Sequence, residues 1–314
     1  MAKLQSTEIV GVANRPATIC SNTMCLWFDT TTLRPMASYC GYGVGTWSAG
    51  GAKSSLGGTN LIGIQNESLS IGGQYPNPQN ITEEYNGTSW SAGGSFITCR
   101  GRRAGAGTQN SGLIFGGQTF SCTEEYNGTS WSVGGALITA RYDLAGAGTQ
   151  NQGLAAGGIQ FSFPETCTEE YNGTSWSTGG ALKYARQSPG LVGVQNQALL
   201  KAGNALQGTS QSIVSSVRLT QNTEEYDGTT WVESSLSMAF NTNGAGTQNL
   251  ALFTGGGATG FDISEEYNGI TWTGANRANN QAGPTAGSQI SAVAIFQLCT
   301  EEYNKSITII DTVL

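Results

Sequence analysis

Thr82-Glu83-Glu84-Tyr85-Asn86-Gly87-Thr88-Ser89-Trp90 recurs unchanged at Thr123 to Trp131 and again at Thr168 to Trp176. Looser copies stand at Thr223 to Trp231 and Ser264 to Trp272, and a sixth, Thr300-Glu301-Glu302-Tyr303-Asn304, has no Trp. A fixed period of this kind marks a module that buries its apolar face only by stacking on its neighbours. Asn-Gly between two β runs is a tight-hairpin signal, because both central residues of such a turn need positive φ. The Glu-Glu-Tyr run and the Trp run are therefore two strands of one hairpin.

Working outward, each Trp is followed by a variable stretch and then a run of small residues such as Ala104-Gly105-Ala106-Gly107. A polar turn comes next, Thr108-Gln109-Asn110, copied at Thr149-Gln150-Asn151 and Thr247-Gln248-Asn249. An apolar run then enters a glycine pair, as in Leu113-Ile114-Phe115-Gly116-Gly117 or Leu252-Phe253-Thr254-Gly255-Gly256. Each unit reads as a four-stranded antiparallel meander, with a period of about 40 to 55 residues, that of a propeller blade.

The chain is thus expected to be all-β, a six-bladed β-propeller of four-stranded antiparallel blades with an N-terminal arm. The small Ala/Gly strand suits the crowded axis. Tyr85, Trp90, Tyr126, Trp131, Tyr171, Trp176, Tyr226, Trp231, Tyr267 and Trp272 fill the widening gaps further out. The sixth unit takes its missing strand either from Trp47, near the front, or from Ile307-Thr308-Ile309-Ile310 at the end. The second choice would leave Tyr42 and Trp47 for a seventh blade. Residues 1–38 are read as an arm or hairpin that docks elsewhere, and residues 39–314 as the propeller, closed by strands from both ends.

The bulk composition agrees with a packed β protein. The chain has 314 residues with 46 Gly and 11% charged residues, yet it carries 7 Trp, 11 Tyr and 10 Phe. Disordered chains usually lack such aromatics. Net charge is −7 with no long basic run, so nucleic acid is not an expected partner. No apolar run is long enough to span a bilayer, and no secretory leader pattern follows Met1. The seven cysteines include Cys122, Cys167 and Cys299 at one repeat position, read as small buried hydrophobes. Cys20, Cys25 and Cys40 lie outside the repeats, where a disulfide among them is left open.

The glycine pair, then Tyr, then Trp, with Arg100, Arg141 and Arg186 ahead of the small strand, resembles the Kelch repeat over about residues 43 to 304. The wording Glu-Glu-Tyr-Asn-Gly-Thr-Ser-Trp with Ala-Gly-Ala-Gly-Thr-Gln is similar to that of Kelch-like virion proteins of tailed bacteriophages. Leu26-Trp27-Phe28-Asp29-Thr30-Thr31-Thr32-Leu33 is similar to a hairpin of phage tail and fibre proteins. The resemblance implies a structural protein of the virion, at the tail or capsid surface and in several copies. It also implies attachment to other virion proteins through residues 1–38, and contact with a host-surface glycan or protein.

Catalysis is not expected. There is no histidine, which removes Ser-His-Asp and Cys-His nucleophiles, the common zinc sites and histidine copper ligation. The six Glu-Glu pairs do not converge, because adjacent strand residues face opposite ways; one Glu of each pair is expected to bond between blades. No cofactor or metal is expected. A cellular Kelch-type interaction module and a carbohydrate-active enzyme remain as alternatives.

Partners are expected on the face that carries the connections from second to third strand and from blade to blade, since the opposite turns hardly vary. That face holds Tyr75, Phe120, Phe161, Phe163 and Phe261, a long loop at 204–222, and the cluster Arg100-Gly101-Arg102-Arg103. Arg141 and Arg186 occupy the positions of Arg100 in later units, and a repeated structural role competes there with a binding one.

Overall fold

The computed structural model is a β-propeller without helices among the described residues, which are 24–29, 34–49, 51–53, 60–73, 79–206, 217–219, 222–237, 243–254, 263–276, 285–287, 291–296 and 299–313. Five four-stranded antiparallel blades follow one another, each pairing its strands in chain order. The first blade is Asn60–Ile64, Glu67–Gly73, Gln79–Tyr85 and Trp90–Ala92. The second is Ala104–Thr108, Ser111–Phe115, Thr123–Tyr126 and Trp131–Gly134. The third is Ala145–Thr149, Gln152–Ala156, Thr168–Tyr171 and Trp176–Thr178. The fourth is Gly190–Val194, Gln197–Lys201, Thr223–Tyr226 and Trp231–Glu233. The fifth is Asn243–Thr247, Leu250–Thr254, Ile263–Tyr267 and Trp272–Asn276.

Six such blades were expected, and five are found. The sixth copy departs at Lys305, which follows Asn304 where the other five units have Gly. Those glycines, Gly87, Gly128, Gly173, Gly228 and Gly269, all hold φ near +90°, a backbone that a Lys side chain disfavours. The chain does not turn back there. It continues as one strand, Cys299–Val313, in a five-stranded sheet ordered Met24–Asp29, Arg34–Ala49, Cys299–Val313, Ser291–Phe296, Thr285–Gly287. Thr285–Gly287 packs beside the first strands of both the fifth and the first blade. The chain divides into two compact units, one of residues 46–304 and one of residues 1–45 with 305–314.

The core lies between blades rather than inside them. Ile62, Leu69 and Ile71 of the first blade pack on Ile114, Tyr126 and Trp131 of the second. Leu113 and Phe115 of the second pack on Ala155, Tyr171 and Trp176 of the third. Within each blade, Tyr and Trp pair directly across the hairpin, with ring centroids 4.7 to 5.0 Å apart. Each such pair contributes about 0.5–1.5 kcal/mol beyond its burial. At the axis, small residues are obligatory. A Cβ at Gly146 would lie 2.6 Å from the Gly105 carbonyl oxygen and 2.7 Å from the Phe115 ring.

The hairpin turn differs from the expected two-residue Asn-Gly form. Tyr85 pairs with Trp90, leaving a four-residue loop. Asn86 Oδ1 accepts from the backbone N–H of Thr88 (3.0 Å) and Ser89 (2.9 Å). This side-chain turn leaves only the Gly in the left-handed region. Asp227 makes the same bonds in the fourth blade, and those donors hold its carboxyl well below the usual carboxylate range.

The cysteines also depart from expectation. Cys122 and Cys167 are only half-buried and Cys99 is exposed; all three are free. Arg141 Nη1 lies 2.7 Å from Cys167 Sγ. Cys20 lies outside the described residues, as do the side chains of Cys25, Cys40 and Cys299.

Candidate functional site

The charged residues of the repeat turn inward. In the five blades, the first Glu of each pair is buried against a cation: Lys53–Glu83 at 3.1 Å, Arg100–Glu124 at 2.5 Å, Arg141–Glu169 at 2.6 Å, Arg186–Glu224 at 2.5 Å, and Lys201–Glu265. The same carboxylates fix the incoming linker: Glu124 accepts from the backbone N–H of Ile97 (2.6 Å) and Thr98 (3.0 Å), and Glu169 from Ile138 (2.7 Å).

The second Glu latches one blade to the next. The hydroxyls of Tyr126, Tyr171, Tyr226 and Tyr267 donate to Glu84, Glu125, Glu170 and Glu225 at 2.6 to 2.7 Å. This meets the expectation that one Glu of each pair bonds between blades. Burial first, and the carboxylate second, push the Tyr126, Tyr171 and Tyr226 hydroxyls up to about 12.

The remaining polar residues of the motif also bridge blades. The Trp131 indole donates to Thr82 Oγ1 (3.1 Å), and that of Trp176 to Thr123 Oγ1 (2.9 Å). Gln109 Nε2 donates back to the carbonyls of Ser68 (3.1 Å) and Tyr85 (2.9 Å) in the preceding blade, and Gln150, Gln195 and Gln248 repeat this.

Arg100, Arg141 and Arg186 are thus fully enclosed, beneath the connections from second to third strand rather than exposed on the variable face. The carbonyls of Gly116 and Cys122 there accept from Arg100, and those of Ala202 and Asn222 from Arg186. Arg103 is also buried. It donates to the carbonyls of Arg100 (2.5 Å) and Ile71, with its guanidinium 4.7 Å over the Phe96 ring. Burial, with Arg100 nearby, lowers it to about 10.

Arg102 alone of the arginine cluster is exposed. Its guanidinium lies 4.3 Å over the Tyr142 ring and forms a bidentate pair with Asp143, Nε to Oδ1 being 2.8 Å. Arg102, Asp143 and Ser188 are equivalent residues, each two after a buried Arg, and their backbones join in series. Asp143 N–H donates to Arg102 O (3.0 Å), and Ser188 N–H donates to Asp143 O (2.7 Å). All three hold left-handed φ, +59°, +53° and +51°.

These residues rim a cavity of about 240 Å³ at one end of the axis. Each blade contributes a polar residue to it, Asn60, Arg102, Asp143, Ser188 and Asn243, with the buried Arg103 beside Arg102, over a floor of Ala, Gly and Leu.

Beside this mouth stands an additional hairpin, Ile159–Gln160 against Phe163–Pro164. Tyr142 and Ile159 exchange backbone bonds of 3.2 and 2.7 Å, tying its base to the rim. Its turn residues, Phe161 and Ser162, have φ of +46° and +73°, and Phe161 and Phe163 are 85% and 63% exposed. Phe120 is half-buried. Tyr75 and Phe261 lie outside the described residues, as does the side chain of Trp47.

Tyr142, Asp143, Ser188, Asn60 and Asn243 were not singled out from sequence. The available signal was spacing, since Asp143 and Ser188 follow Arg141 and Arg186 as Arg102 follows Arg100. A comparison of the chain with protein-family models finds no match, and a comparison with curated proteins finds none either.

Proposed function

We propose that this chain is a non-enzymatic, Kelch-like propeller that serves as a structural component of a tailed-bacteriophage particle and presents one face to a partner. The observation that carries this reading is the division of labour among polar side chains. Nearly every charged group of the repeat is used inside the ring, as the Glu169–Arg141 pair and the Tyr171–Glu125 latch illustrate. Side chains that differ from unit to unit, Arg102, Asp143, Ser188, Phe161 and Phe163, gather on the face expected to vary. The absence of histidine supports a role without nucleophilic or metal chemistry.

In this reading the strand Thr285–Gly287, which lies between the first strands of the fifth and first blades, covers the edges that would otherwise be left open. Closing a ring in this way removes the open edges that invite aggregation. Residues 1–38 would fasten the propeller to other virion proteins in several copies, leaving the variable face for a host-surface glycan or protein.

The test is immunogold labelling of purified particles with antibody raised against this chain. Label at the tail supports a tail component, and label over the shell a decoration protein. Particles without label, and the chain found only in host lysate, would reject the virion reading in favour of a cellular interaction module.

A further inference from the structure

Among the described residues, seven that are not glycine hold left-handed φ: Arg102, Gln118, Asp143, Phe161, Ser162, Ser188 and Ala202. Five of these seven lie in one patch, the axial mouth and the hairpin tied to it through Tyr142 and Ile159. Glycine would meet the backbone requirement without strain, yet every one of these positions carries a side chain. Strain retained in a cluster marks a place where the side chains themselves are needed. Packing does not explain them, since Arg102, Phe161, Ser162 and Ser188 are exposed.

From this patch we infer a binding site for a neutral saccharide. The rim supplies what a sugar's hydroxyls require: a guanidinium donor and a carboxylate acceptor side by side in the Arg102–Asp143 pair, a hydroxyl at Ser188, and amides at Asn60 and Asn243. The Arg102 charge is already matched by Asp143, and the other cation of the lining, Arg103, is buried with its donors taken by the carbonyls of Arg100 and Ile71, so the rim favours an uncharged ligand over an anionic one. Exposed Phe161 and Phe163, on the hairpin whose base is tied to the rim through Tyr142 and Ile159, offer apolar ring faces against which a pyranose can lie. The cavity, about 240 Å³, is smaller than the roughly 300–1,000 Å³ of sites that enclose drug-sized ligands. It therefore takes a terminal ring, with the rest of the glycan passing over the hairpin.

The inference rests on the reading of this face as the recognising surface and is independent of placement in a particle. The experiment is calorimetric titration of the full chain against neutral hexose and hexosamine oligosaccharides, with uronic-acid oligosaccharides as a separate arm. Wild type should bind at least one neutral probe. Phe161→Ser should weaken that binding tenfold or more without moving the thermal midpoint. Ser188→Gly and Asp143→Gly relieve left-handed strain; Ser188→Gly should weaken binding while leaving the thermal midpoint unchanged or raised, and Asp143→Gly should weaken it too.

A merely structural rim gives the opposite pattern, a lowered midpoint with unchanged binding, and overturns the site. Absence of binding to every probe overturns it as well. Binding confined to uronic acids overturns the assignment to neutral sugars. Sugar binding by a chain that does not label particles would reject the virion placement and leave this site standing.

Discussion

The hydroxyl of Tyr171, in the third blade, donates to Oε1 of Glu125, in the second, at 2.6 Å. The same oxygen of Tyr171 accepts from the backbone N–H of Gly135 at 3.2 Å. One phenol thus ties a side chain and a main chain of the neighbouring blade, and Tyr126 and Tyr226 repeat the arrangement. With the indole–Thr and Gln–carbonyl bonds, these phenol bonds add directional ties to the apolar layers that hold adjacent blades together.

Tyr171→Phe keeps the ring and removes the oxygen. It leaves Glu125 and the Gly135 N–H each short of a partner, for a cost of about 1–3 kcal/mol. A lowered urea midpoint at unchanged slope is the expected result, with Tyr126→Phe and Tyr226→Phe alike. An unchanged midpoint would show that water replaces the phenol freely.

The same hydroxyls set the alkaline limit. Their pKa in the folded chain is about 12, against about 10 when unfolded. Between those values the folded state holds the protons more firmly, so the stabilisation is fully present below pH 10 and declines as pH rises towards 12. The phenolate absorbance that Tyr171→Phe removes should therefore appear together with the loss of far-ultraviolet dichroism, between pH 10 and 12. That difference signal appearing near pH 10 in a still folded chain would contradict the latch.

Much of this was legible in the sequence because the repeat is nearly verbatim. Thr82, Glu83, Glu84, Tyr85 and Trp90 recur because each has its own duty where blades meet. Alternation along the strand was enough to send the two carboxylates to opposite faces. The blade count went astray at Lys305, where one residue without glycine's freedom turned a hairpin into a continuous strand. The axial rim was hidden for another reason. Arg102, Asp143 and Ser188 share a position and a backbone shape but no chemistry, so they read as loop variation until the ring brings them together.

Arg141 provides a test of the inner ion pairs. Its guanidinium and Glu169 are both enclosed, and Arg141→Met would leave the carboxylate buried without its cation. Removing one partner of such a pair costs about 3–5 kcal/mol. The variant should unfold at a markedly lower temperature, and Glu169→Gln combined with it should recover part of the loss. If Arg141→Met were as stable as wild type, the pair would have no role in holding the linker.

Lys201 shows how the ring copes when the repeat fails. The fifth blade has Ala239 where an Arg precedes the first strand in the second, third and fourth blades. Glu265 is met instead by Lys201 of the fourth blade, 64 residues away in sequence. The ammonium is wholly enclosed, 4.6 Å over the Trp272 ring and 5.2 Å over that of Phe253. Burial lowers Lys201 to about 8, with Glu265 opposing the shift only in part. Between pH 8 and the ordinary lysine value the unfolded chain holds more protons than the folded one, so this residue makes stability rise with pH across that window. Below pH 8 that contribution is lost. Lys201→Met with Glu265→Gln removes both charges while keeping the side-chain volume, and such exchanges are often neutral or stabilising. The double variant should therefore match or exceed wild type in urea at pH 7 and lose the rise between pH 8 and 10. A rise of the same size in the double variant would show that another group titrates there. Collapse of the double variant at pH 7 would mean that the ion pair is what joins the fourth blade to the fifth.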